Sequence, residues 1–196
     1  VHIFCSFIEK RRSTTTIDII ESEDLCRNAD EIGARIRNNL KRALAETQVA
    51  ALTTAQVAAF ETRDVAVFTS SQVSVLSTQQ INYGLGTAQI AALTTVNIAT
   101  LSTDQLSKGL TTDQIAALRT DQIVALRTDQ VAALQTRQVV VFSTDQLAAM
   151  ETQDVAALST AAVSALTTDQ ISLGLSTDQV AALTTGQVVS LTTEQV

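Results

Sequence analysis

Histidine occurs once in this chain of 196 residues, cysteine twice, and tryptophan and proline not at all, while aromatic residues make up only 3%. Each scarcity removes a class of chemistry. His2 stands alone at the N-terminus, so a Ser-His-Asp or Cys-His nucleophilic site would have to be built on a terminal residue. Cys5 and Cys26 have no second histidine to join them in a tetrahedral zinc site. They either bridge, if the protein is secreted, or stay reduced as small hydrophobes. There is no Gly-rich phosphate loop and no dinucleotide fingerprint. Asp recurs, but never as D-x-D-x-D-G or as the GGxGxD nonapeptide, so it offers no calcium loop. No apolar run is long enough to span a bilayer. No set of acid, base and nucleophile can be assembled, and the expectation is a non-enzymatic protein with no cofactor and no metal.

What is present is an eight-residue period. Leu110 to Leu134 reads LTTDQIAALRTDQIVALRTDQVAAL, and the register extends from Leu44 to the end. With the large apolar residue as position zero, a Val, Ile or Leu follows at position five, a hydroxyl at two, often Asp at three, and usually Gln at four. The two places before the next Leu are mostly Ala. Leu110, Ile115, Leu118, Ile123, Leu126, Val131 and Leu134 are the expected core of the central repeats.

A single long helix cannot carry this period. Eight residues overshoot two helical turns by roughly 80°, so the Leu stripe would wind around the rod. A β-solenoid is the alternative, but it would send Leu and Val to opposite faces unless a corner intervened, and Ala and Gln are poor strand formers. One short helix per repeat satisfies both objections. Thr at position two (Thr112, Thr120, Thr128) is the expected N-cap, and Asp at three suits the positive end of the helix. Val at five then lies three residues before the next Leu and shares its face. So short a helix does not persist alone, and stability must come from stacking on neighbours, which the small Ala pairs permit. The predicted architecture is mainly α, a solenoid over residues 44–196.

Residues 1–43 read differently, as a small α+β N-terminal cap. Residues 1–8 and 15–20 are rich in β-branched and aromatic side chains and suggest a hairpin, while Leu25, Ala29, Ile32, Ile36, Leu40 and Ala43 mark an amphipathic helix. This region would cover the first apolar face of the solenoid. The opening VHIFCSFI is short and lacks a basic leader, so a fragment or processed chain is expected rather than a signal peptide. The sequence stops inside a repeat, which suggests either a longer array or an end packed on another subunit.

Charge is uneven as well. Counting from the sequence, residues 1–42 carry eight basic and seven acidic residues, so +1, and 43–196 carry five and thirteen, so −8. An acidic, Thr-rich repeat surface argues against nucleic-acid binding. Three repeats have nine residues, with Gly84, Gly109 or Gly174 just before the Leu; these are read as corners, where a helix often ends in a left-handed turn. The Gln column reaches either a backbone group of the next turn, forming a ladder, or solvent; the ladder is favoured. Arg119 and Arg127 are expected to pair with nearby Asp121, Asp129 or Asp113.

Two resemblances attach to these residues. Leu52-Thr53-Thr54-Ala55-Gln56-Val57-Ala58-Ala59 is similar to the opening of the repeat in transcription activator-like effectors, but it ends before the second helix and base-reading loop of that family, so DNA binding is not carried over. The whole of 44–196 more closely resembles the L-[ST]-T-x-Q-[VI]-x-A octad arrays of very large bacterial surface or secreted proteins. That resemblance implies a structural or adhesive role outside the cell, as a stalk, fibre segment or adhesin scaffold, with self-association or another protein as partner. The alternative is a secreted effector or interaction module that binds a partner protein along the solenoid face.

Overall fold

The structure is a computed structural model that describes residues 46–195. The cap assigned to 1–43, with His2, Cys5 and Cys26, lies outside the described residues. Within them the chain forms eighteen helices of four to seven residues, from Glu46–Ala50 to Thr185–Ser190, and no strand. The protein is a helical solenoid. The β-solenoid alternative fails for a local reason: each repeat begins with a residue in the β-region, such as Thr111 at φ −77° and ψ 167°, and then turns at once into helix.

The helices that pack on one another are three apart along the chain. Three repeats therefore close one turn, and the coil has three sides. One side stacks Ser70–Ser74, Thr95–Thr100, Thr120–Val124, Thr144–Ala149 and Thr168–Gly174. A second includes Thr128–Ala132, Thr152–Ala157 and Thr177–Ala181; the third includes Thr112–Ala116, Thr136–Val139, Thr160–Ser164 and Thr185–Ser190. Both apolar positions point inward. The position-five residues from Val49 to Val163 are 0–1% exposed, and Leu110, Ile115, Leu118, Ile123, Leu126, Val131 and Leu134 are all buried. Phe60 and Phe68 meet edge to face with centroids 5.3 Å apart.

Two local expectations are corrected. The N-cap falls one residue earlier than position two. Thr111, Arg119 and Arg127 are the N-caps, while Thr112, Thr120 and Thr128 are the first helical residues. The cap hydroxyl at Thr111 accepts from the Gln114 N–H at 3.2 Å, a span of three residues that position two cannot make to the same donor. The second correction concerns the glycines. None of Gly84, Gly109 and Gly174 lies in the left-handed region; each is the last residue of a helix. The ninth residue is absorbed inside the helix, as a π turn in Gln80–Gly84 and Gln105–Gly109, where the Leu110 N–H reaches Gln105 O at 3.1 Å. Gly84 is needed for space: a Cβ on it would sit 2.9 Å from Val57 Cβ and 3.1 Å from Thr54 O of the preceding coil.

Candidate functional site: the glutamine ladder at the corners

Helices of five residues leave nearly all their terminal N–H and C=O groups without intrahelical partners. The Gln at position four settles both ends at once. Gln122 accepts the Arg119 N–H at its Oε1 (2.9 Å), which closes the N-terminus of its own helix. Its Nε2 donates to Leu93 O at 2.8 Å and Ile90 O at 3.1 Å, the C-terminal carbonyls of a helix one coil below. Gln130 does the same to Leu101 O and Ile98 O, and Gln138 to Leu110 O and Leu106 O. The side chains are buried, Gln122, Gln130 and Gln138 completely. Three ladders thus run up the three corners, each rung joining residues 28 to 33 apart in sequence. The ladder is borne out in kind, but it reaches the preceding turn.

The N-cap position adds to this. Where it is Thr or Ser, the hydroxyl accepts the N–H of the Gln, as at Thr111 and Ser143. Where it is Arg, the guanidinium reaches down instead: Arg119 Nη1 donates to Ala91 O and Arg127 Nη1 to Ala99 O. Both guanidinium groups also hold their own aspartate, Arg119 with Asp121 and Arg127 with Asp129 at 2.9 Å. The bonded guanidinium lowers the carboxyl of each below its ordinary range. These pairs are exposed, and Asp113 takes no part in them.

Four rungs differ. Asn97 is shorter but keeps the bond, donating Nδ2 to Phe68 O at 3.0 Å while its Oδ1 faces the Ser70 hydroxyl at 3.5 Å. Asp64 accepts the Glu61 N–H at 3.1 Å. Ala162 has nothing to donate. Asp154 is 2% exposed and accepts the Thr128 hydroxyl at 2.8 Å. Burial raises the Asp154 carboxyl above its ordinary value; the Thr128 hydrogen bond opposes this and the neighbouring Glu151 charge adds to it. Nothing in the sequence reading singled out Asn97, Asp154 or Ala162, although each was visible as a break in the Gln column.

Among the described residues, every buried side-chain nitrogen and oxygen has a partner, and no three His, Cys, Asp or Glu come together as metal ligands would. A shallow groove lined by Met150, Glu151, Gln153, Asp178 and Gln179 lies open to solvent between two coils. No helix among the described residues is long and apolar enough to cross a membrane.

The family model for the ALTTAQ repeat matches six overlapping stretches, 57–95, 84–120, 108–136, 115–150, 123–160 and 147–185, which together run from 57 to 185. No curated protein and no solved structure matches the chain.

Proposed function

The chain belongs to the ALTTAQ repeat family, and from that premise we propose that it is a non-enzymatic structural repeat protein, a stalk, fibre segment or adhesin scaffold of a bacterial surface or secreted protein. The observation that carries this reading is the ladder. The buried Gln side chains donate to the backbone of the coil beneath, so the polar chemistry of the interior is used in holding a rod together. A stack of this kind grows by adding coils, each stabilised mainly by its neighbours.

The reading includes end-to-end self-association, since a stack of like coils can be continued by another copy of the same coil. Size-exclusion chromatography with light scattering over a range of concentrations, followed by negative-stain microscopy, tests the reading. Mass rising with concentration and rods on the grid support it; a strict monomer that forms no rods rejects end-to-end assembly.

A second reading rests on Val96, Val124 and Leu173, which are exposed and lie on helices of the same side. Exposed apolar side chains gathered on one side suit a partner protein bound along the solenoid face. Replacing all three by Ser would abolish that binding and leave assembly intact.

A further inference from the structure

The coil formed by Thr144–Ala149, Thr152–Ala157 and Thr160–Ser164 is joined to the coil beneath it unlike the others. In the coil of Thr120–Val124, Thr128–Ala132 and Thr136–Val139, all three corners carry a Gln that donates downward. The same holds for Gln170, Gln179 and Gln187 in the coil of Thr168–Gly174. In the coil between, Gln146 alone donates, to Leu118 O at 2.7 Å and Ile115 O at 3.2 Å. The other two corners hold Asp154 and Ala162. By register the carbonyls they face are Leu126 O with Ile123 O, and Leu134 O with Val131 O, and among the described residues no side chain donates to any of these four.

Asp154 has a neutral counterpart in the same protein. Asn97 sits at the same position of its repeat, one coil above Ser70 and Phe68, as Asp154 sits above Thr128 and Leu126. In both, one side-chain oxygen faces the hydroxyl of the first helical residue below. In Asn97 the other branch is an amide that donates to the Phe68 carbonyl. Asparagine and aspartic acid have the same shape, so an Asp154 side chain held as Asn97 is held would bring its second oxygen to Leu126 O. Two oxygens can share that contact only with a proton between them.

We propose that Asp154 acts as a proton-operated latch at this seam: as a carboxylic acid it donates its O–H to the Leu126 carbonyl, and loss of the proton releases that corner and loosens the coil of 143–166 from the one below. The charges around it give the ionised form no relief. On its own element Glu151 is the near neighbour and raises the carboxyl further, with Gln153 Nε2 bonded to Glu151. On the helix below, Asp129 is engaged by Arg127, whose guanidinium is bound there and to Ala99 O. On the helix above, Thr177–Ala181, the charged residue is Asp178. The latch is therefore closed in acid and opens as pH rises, the reverse of ordinary acid denaturation.

The test uses the full chain and two variants of it. Thermal midpoints of the wild type and of Asp154→Asn are compared at intervals from pH 3.5 to 8. The variant copies Asn97 and keeps its donor at every pH, so the gap between the two midpoints should be small in acid and widen as pH rises. Asn97→Asp should install the same dependence at the Phe68 corner. Carboxyl NMR of the wild type should place the Asp154 midpoint above the ordinary 3.8. A gap that does not change with pH, or an Asp154 midpoint at or below 3.8, overturns the proposal.

Discussion

Gln130→Ala removes one rung from a fully built part of the ladder. Gln130 is wholly buried; its Nε2 donates to Leu101 O at 2.7 Å and Ile98 O at 3.0 Å, and its Oε1 accepts the Arg127 N–H at 2.8 Å. Ile98 O keeps the Leu101 N–H, but Leu101 O, on the buried side of the rung, and the part-buried Arg127 N–H lose their bonds. The orphaned buried carbonyl costs about 1–3 kcal/mol, and the part-buried N–H adds less. The cavity left by the side chain adds to that, and the expected loss is about 3–5 kcal/mol. This is a large part of the stability of a typical domain. Urea unfolding followed by far-UV circular dichroism measures it, with Gln153→Ala as a control, since the Gln153 side chain is exposed and bonds only to Glu151. The control should stay within about 0.5 kcal/mol of wild type. Gln130→Glu keeps the acceptor and loses the donor, so at neutral pH it should fall with the Ala variant. A loss below about 1 kcal/mol for Gln130→Ala would refute the reasoning, because buried carbonyls would then not depend on the amide.

Other substitutions probe other parts of the same argument. Ala162→Gln supplies the donor missing opposite Leu134 O and should raise stability by about 0.5–1.5 kcal/mol in the same urea titration. Gly84→Ala drives a Cβ to 2.9 Å from Val57 and should cost about 1–3 kcal/mol, read as a drop in the urea midpoint. Gly186→Ala meets only Thr160 Cγ2, at 3.5 Å, inside the helix Thr185–Ser190; it should stabilise by about 0.5–1 kcal/mol. Arg119→Ala releases Asp121, whose NMR titration should move up toward the ordinary aspartate value. The Arg119–Asp121 contribution is present above that value and lost as pH falls through the lowered one, and it is small because the pair is exposed.

The two apolar positions and the helix between them were legible because they depend on local spacing. Val131 lies three residues before Leu134, and only a helix puts them on one face. The cap was misplaced by one residue for a physical reason. Both positions one and two carry hydroxyls in most repeats, and a cap is defined by the backbone angle at which the chain enters the helix, which composition does not state. The glycines were misread for a related reason. Gly84, Gly109 and Gly174 precede a Leu as a C-terminal glycine would, but what crowds Gly84 and Gly174 is a side chain 27 residues earlier, Val57 and Leu147, while a Cβ at Gly109 would meet Ile81 at an ordinary 3.4 Å.

The sequence by itself determined the unit: an octapeptide that forms a short helix, buries one Leu and one Val or Ile, and must stack on others, because these properties follow from the spacing of neighbours along eight residues. Tertiary structure alone decided that three units close a turn, since that number depends on the angle at which helices pack and not on any residue within a repeat. From that closure follow the partners of every Gln, and the fact that Asp154 lies over Leu126 and Ala162 over Leu134. In one dimension those two residues are small departures from a repeat; in three they meet in a single coil that keeps its Gln amide at only one of three corners.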